Sequence, residues 1–130
     1  MNLESPKKNV EKSPEEIYSF LTKVENYERL MPDNISKFEI LGENRFVFAL
    51  KGMPEIVLEL KDSVPFNKVV LGAVSDKLPF TLTSNIKELT EGSSEVQLHF
   101  EGEFNAMISM MIKSPIQKFI ETLVSNLQNI

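Results

Sequence analysis

The residue types that most often perform chemistry in proteins are few in this sequence. The only histidine, His99, alternates with Val96, Leu98 and Phe100 in a segment of period two, and shares its parity with Glu101. That pattern predicts a strand with His99 on the outer face and the apolar residues on the inner one. A general acid or base must come within hydrogen-bond reach of the proton it moves. We therefore predict no catalytic residue.

Metal and nucleotide chemistry find equally little support. Glu95, Glu101 and Glu103 share the outer face with His99, but strand neighbours on one face lie about 6.5 to 7 Å apart in a line rather than around an ion. The absence of cysteine excludes thiolate ligands, thiol nucleophiles and disulfides. The five glycines are isolated, so no phosphate-binding loop is present. We predict no metal site and no cofactor.

Length and charge narrow the class of protein. The 130 residues suit one domain, which we assign to residues 1–130. A net charge of -5 with scattered lysines and arginines is unlike a nucleic-acid-binding surface. No apolar window is long enough to span a membrane, and the first residues lack the apolar core of a secretory signal. We therefore expect a soluble cytoplasmic protein with no membrane span and no nucleic-acid partner.

Two short helices are predicted near the start of the chain. Ser13 can cap the first helix, with Pro14 at its first position and Glu16 completing a capping box. Apolar residues then recur at three- and four-residue spacing as far as residue 24. Asn26 is a candidate cap for the second helix, which Pro32 ends.

A long run of strands follows. From residue 36 the apolar period is two, with turn residues at 42–44, 52–54, 65–67 and 91–94. Because hairpins in sequence order give an antiparallel meander, we predict about six strands here, in addition to a first strand over about residues 3–11. Gly102 falls in an inward row, where a missing side chain permits a bend or the close approach of another element.

Helical spacing returns after residue 105 and continues almost to the end of the chain. The pattern predicts one long amphipathic helix. Pro115 removes a backbone donor, and so it is expected either to kink this helix near residues 111–115 or to divide it into a short and a long piece.

This order of elements, together with "SPEEIYSFLTKVENYERLMP" at 13–32, resembles the START-like superfamily, which includes the major birch pollen allergen, polyketide cyclases and coenzyme-Q-binding proteins. The resemblance covers nearly the whole chain. Its most specific part is the proline-initiated helix followed by "NYERLMP". It implies an α+β helix-grip fold, in which a curved seven-stranded antiparallel sheet wraps around the long C-terminal helix, with two short helices after the first strand. An apolar cavity between sheet and helix is implied as well.

The inward strand rows and the last helix supply the candidate cavity lining. Ser84 is the one polar member; Thr81, Thr83 and Asn85 replace it if that strand is shifted by one residue. The methionines lie at the start of the gripping helix, where unbranched thioethers can fill irregular space or yield to a guest. Periodicity does not distinguish a hollow interior from a filled one, and residues 76–82 are a candidate rim. The predicted lining residues are Phe48, Leu50, Leu58, Leu60, Leu71, Phe80, Leu82, Ser84, Leu98, Phe100, Met107, Met110, Met111, Ile116, Phe119 and Ile120.

Three functions are compatible with these expectations. The first is the binding of a small hydrophobic ligand, such as a lipid, a quinone, an aromatic or a polyketide-like molecule, without conversion. The second is an enzyme resembling polyketide cyclases and dehydratases, which would need an ionisable side chain inside the cavity. The third is a protein-interaction module that uses an exposed face.

Overall fold

The computed structural model describes residues 1–75 and 78–130 and shows an α+β protein with one antiparallel sheet. A helix α1, a 3₁₀ helix and a long helix α2 accompany the sheet. The helices are α1 (Pro14–Leu21), the 3₁₀ helix (Val24–Leu30) and α2 (Ala106–Leu127), and the strands are β1 (Asn2–Glu4), β2 (Lys8–Val10), β3 (Ile35–Gly42), β4 (Arg45–Leu50), β5 (Ile56–Val64), β6 (Lys68–Ala73), β7 (Phe80–Thr90) and β8 (Ser93–Gly102).

The sheet is an antiparallel meander that the N-terminal strands extend at one edge. Strands β3 to β8 pair with their sequence neighbours, which confirms the six antiparallel strands predicted after residue 36. Both β1 and β2 pair with β8. Helix α2 packs against β8 and the 3₁₀ helix, so the last helix and the first strands lie beside the same strand.

The predicted first strand is interrupted, and the sheet therefore has eight strands instead of seven. Between Glu4 and Lys8 the chain gains one residue relative to β8, where their partners are His99 and Val96. Pro6 has no amide to donate to a ladder. The Ser5 hydroxyl takes over part of the pairing, because it accepts a hydrogen bond of 2.9 Å from the Leu98 amide.

The helix starts agree with the sequence in one case and differ in the other. Ser13 and Glu16 form the predicted capping box at the start of α1. The second helix is a 3₁₀ helix that begins at Val24, and the prediction that Asn26 caps it is wrong. The Asn26 amide instead donates to the Phe20 carbonyl at 3.0 Å, which ties the 3₁₀ helix back to α1.

Helix α2 is continuous through Pro115. The Asn105 side chain caps it by accepting a hydrogen bond from the Ile108 amide at 2.9 Å. Residues Ala106–Leu127 form a single helix, so the alternative in which Pro115 divides it into two pieces is wrong. Within the described residues, no helix is long and apolar enough to cross a membrane.

A chain of aromatic rings joins the helices to the sheet. Tyr27 of the 3₁₀ helix stacks on Phe46 at 5.3 Å, Phe46 lies 6.1 Å from Phe48, and Phe48 stacks on Phe119 of α2 at 5.0 Å. All four side chains are buried. Pairs at these separations add to the energy of area burial, so this stack fixes α2 against β4.

The other face of the sheet carries charge. Glu59 accepts hydrogen bonds from Arg45 at 2.7 Å and lies 2.9 Å from the Lys61 ammonium. The bond from Lys61, and then that from Arg45, lower the pKa of Glu59. These ion pairs lie on the solvent-exposed face of the sheet. An apolar site is therefore expected on the opposite face, which packs against α2.

Candidate ligand-binding site

An apolar cavity of about 300 Å³ lies between the first turns of α2, the β4–β5 turn and the ends of β7 and β8. It is partly open to solvent, and its exposed lining residues are Gly52, Pro54 and Met111. Every side chain that lines it in the described part of the chain is apolar. The lining residues are Gly52, Met53, Pro54, Ile56, Leu78, Phe80, Phe100, Phe104, Ile108, Met111, Ile112 and Ile116.

Local sequence explains how these residues meet. Gly52 has a φ of 84°, a conformation that favours glycine, and the Met53 amide bonds to the Leu50 carbonyl at 2.9 Å, so a tight turn carries Met53 over the cavity. At the opposite wall, a Cβ on Gly102 would come within 2.7 Å of the Phe104 ring. The missing side chain therefore lets Phe104 fold against the end of β8, as the position of Gly102 in the inward row had suggested.

Below this open cavity the interior is packed. An inner void of only about 10 Å³ remains between α2 and the sheet. Four residues line both spaces and separate the open cavity from the inner void: Ile56, Phe80, Phe100 and Ile116. The ring centroids of Phe80 and Phe100 lie 4.8 Å apart in this boundary. The inner void is lined by Phe48, Ile56, Leu58, Phe80, Leu82, Phe100, Ile116, Phe119 and Ile120.

The predicted lining residues are therefore distributed over several places. Four of them, Phe80, Phe100, Met111 and Ile116, line the open cavity. Phe48, Leu58, Leu82, Phe119 and Ile120 line the inner void, and Leu50 borders a separate cleft. Leu71, Ser84 and Leu98 are buried in the core, and Leu60 is partly buried against it.

The three methionines at the start of α2 are mostly exposed. Met107 and Met110 are 73% and 83% exposed and face solvent, and Met111, at 69% exposed, borders the cavity mouth. Ile108 and Ile112, one turn apart, occupy the helix face that lines the cavity, whereas Met107 and Met110 lie on the exposed side of the helix. The i, i+4 series of isoleucines ending at Ile116 was the sequence pattern that could have found this wall.

Residues on two loops also form part of the wall. Met53 and Pro54 come from the β4–β5 turn, which the strand pattern had identified only as a connection. Of the candidate rim at 76–82, Asp76 and Lys77 lie outside the described residues, whereas Leu78 and Phe80 line the cavity.

A second, more polar cleft of about 470 Å³ adjoins the cavity at Met53. It lies between the β4–β5 turn and the middle of α2, and serine, threonine and lysine residues are among those that line it. Its lining residues are Pro32, Asn34, Leu50, Lys51, Met53, Ser114, Pro115, Lys118, Phe119 and Thr122.

The open cavity offers no proton-transfer group in the part of the chain described. Its lining from residues 1–75 and 78–130 contains no Asp, Glu, His, Lys, Arg or Tyr. The Tyr27 hydroxyl is occupied by the Leu21 carbonyl at 2.8 Å, and the Tyr18 hydroxyl by Ser63 at 3.0 Å. His99 lies on the outer side of β8, 3.2 Å from the Asn2 side chain. Among the same residues, no cluster of three potential metal ligands is found.

Comparison with known proteins adds the fold relationship. No family model matches the sequence, and no curated protein matches it. Solved structures do match, including a START superfamily protein from Mycobacterium smegmatis, at a TM-score of 0.70 and 15% identity over 98% of this chain and 94% of that one. The fold is START-like.

Two further matches extend over almost the entire chain. The protein XoxI from Bacillus cereus aligns at a TM-score of 0.75 and 14% identity, covering 98% of this chain and 93% of that one. A protein from Thermus thermophilus aligns at a TM-score of 0.72 and 12% identity, covering 99% of this chain and 95% of that one. Since identities this low establish the fold alone, function has to be argued from the cavity.

Proposed function

We propose that this START-like protein binds a small hydrophobic molecule in the open cavity between α2 and the sheet, without converting it. The observation that carries the proposal is the cavity itself: it is solvent-open, and its described lining is entirely apolar. A guest there would be stabilised by the burial of apolar area, at about 25 cal/mol per Å².

The cavity volume limits the guest. About 300 Å³ is the lower end of the range for small-molecule pockets and corresponds to about ten water molecules. The packed Phe80–Phe100 floor stops a guest from reaching the inner void. A single aromatic ring system, a quinone head or a short acyl chain fits this space, whereas a whole phospholipid exceeds it.

The lining argues against an enzyme of the cyclase kind. Such an enzyme needs an acid or base at the substrate, and the cavity lining contributed by residues 1–75 and 78–130 carries none. Binding therefore has more support than conversion.

Thermal unfolding with a ligand panel tests the proposal. Quinones, flavonoids, short-chain lipids and polyketides are added to the purified protein, and a ligand at 100 times its Kd is expected to add about 2.7 kcal/mol to the free energy of unfolding. Ile108→Glu, which places a charge in the cavity wall, should abolish the shift. Met110→Glu introduces the same charge two residues away on the exposed side of α2 and should leave the shift intact. The absence of any saturable shift across the panel overturns the proposal.

A second candidate function, contact with a protein partner, is favoured by the exposed methionines. Met107, Met110 and Met111 place three large apolar side chains together on the first turns of α2. Exposed apolar patches often mark interaction surfaces. Met107→Glu combined with Met110→Glu should then weaken partner binding but leave ligand binding unchanged, and the reverse result would exclude this candidate.

A further inference from the structure

The polar cleft beside the cavity is lined by two lysines. Lys51 follows β4 and Lys118 lies in the middle of α2, and both line the cleft. Within residues 1–75 and 78–130, neither ammonium group makes an ion pair or a hydrogen bond. Both lysines are exposed, so their charges are accessible to a ligand in the cleft.

The two spaces are adjacent and follow one helix. Met53 lines both of them, and Pro115 on the cleft side is next to Ile116 on the cavity side. From Met111 at the cavity mouth to Lys118 in the cleft, α2 rises roughly 10 Å. A single extended molecule can therefore occupy both spaces, with its apolar part in the cavity and its polar end beside the lysines.

From this arrangement we infer that the ligand is an amphipathic anion, with a carboxylate held between Lys51 and Lys118 and an apolar tail in the open cavity. This inference rests on the proposed function and specifies its ligand class. A carboxylate that reaches both ammonium groups gains charge-assisted hydrogen bonds, which are stronger than those between neutral groups. The Ser114 hydroxyl at the same cleft is a further donor to the carboxylate.

The same geometry disfavours a ligand that has no charged group. A purely apolar molecule that fills the cavity leaves both lysines as they are. The carboxylate therefore determines the choice among molecules with identical tails, and the apolar lining determines the choice of tail.

Calorimetric titration with decanoate and decanol tests the inference, since the two probes share a tail and differ in charge. The wild-type protein should bind decanoate at least about tenfold more tightly than decanol. Lys51→Gln with Lys118→Gln should remove this preference and leave the Kd for decanol unchanged. Lys113→Gln removes the same charge from an α2 residue outside the cleft lining and should keep the preference.

The outcomes separate the inference from the function on which it rests. Equal binding of the two probes, or no binding of decanoate, overturns the inference, as does a preference that survives the double lysine variant. Raising the salt concentration should weaken decanoate binding and spare decanol. If the neutral members of the ligand panel also fail to bind, the proposed function is overturned with it; if they bind, only the anionic ligand class is lost.

Discussion

The rings of Phe80 and Phe100, on the neighbouring strands β7 and β8, lie 4.8 Å apart and form the floor of the open cavity. The same pair forms the outer wall of the inner void. Ile56 and Ile116 line both spaces as well, so these four side chains together set the depth of the binding site. The substitution of Phe80 or Phe100 by a smaller residue should widen the passage between the two spaces.

Phe100→Leu should deepen the cavity and change which ligands enter. Removal of ring atoms from the core is expected to cost about 1–2 kcal/mol in the free energy of unfolding. The variant should accept bulkier aromatic ligands than the wild-type protein, measured as the ligand-induced shift in melting temperature. Phe66→Leu, the same change at a half-exposed turn residue away from the cavity, serves as the control. An unchanged ligand range in Phe100→Leu would contradict the role of the floor.

Gly102→Ala should strain the cavity wall. The new methyl group would lie 2.7 Å from the Phe104 ring and 2.9 Å from the Phe80 Cβ, so both cavity residues must move. We expect a loss of about 1–3 kcal/mol in urea unfolding, with weaker ligand binding. Gly92→Ala meets no atom within 4 Å and should stay within about 0.5 kcal/mol of wild type. Equal stabilities of the two variants would disprove the close approach.

Tyr27→Phe should reveal a buried hydrogen bond and a pH effect. The hydroxyl donates to the Leu21 carbonyl, so its loss should cost about 1–2 kcal/mol at pH 7. Burial raises the pKa of Tyr27. In the unfolded chain the phenol ionises near pH 10, so the unfolded state binds fewer protons there and stability falls as the pH rises above about 10.

The Tyr27 contribution is therefore present below about pH 10 and is lost above it. The wild-type protein should have the higher urea midpoint at pH 7, and the difference from Tyr27→Phe should shrink as the pH rises above about 10. The control is Tyr18→Phe, whose hydroxyl is only partly buried and bonds to Ser63, and which should cost less. A constant difference across this pH range would contradict the prediction.

The turn between β5 and β6 holds Phe66 at a φ of 67°, a conformation that bulky residues rarely adopt. It follows Pro65 in a turn closed by a 2.9 Å bond from the Asn67 amide to the Val64 carbonyl, where glycine or asparagine is usual. Phe66→Asn should therefore be more stable than Phe66→Val by about 1–2 kcal/mol, although valine is the more apolar residue. Urea unfolding of both variants checks this order, and greater stability of the valine variant would refute it.

Most of the architecture could be predicted from the sequence, because apolar periodicity, turn residues and helix caps determine it locally. The hairpin turns, the capping box at Ser13 and the inward row of β8 were all confirmed. The break in the first strand was not, since it depends on the Ser5 hydroxyl reaching Leu98, a contact between residues far apart in the chain.

The candidate site was less predictable. Whether an inward-facing residue lines a cavity or packs in the core depends on packing in three dimensions. Leu71 and Phe80 both belong to inward rows of the sheet, yet Leu71 lies in the core and Phe80 lines the cavity. The contribution of Met53 comes from a turn that has no period. The cleft lysines are likewise not predictable from periodicity, because Lys51 and Lys118 are far apart in sequence and line one cleft only in the folded protein.

The pairing of β1 and β2 with β8 also affects how the protein is made. Ser5 and Leu98 are separated by 93 residues, so on a ribosome the amino-terminal segment waits roughly 5–20 s for the strand that will hold it. Throughout that interval β1 and β2 lack their partner strand β8, and the apolar face of the nascent meander lacks the helix that covers it. Folding of this domain is thus postponed until β8 and α2 have been synthesised, and this is the period in which chaperones would find the chain most accessible.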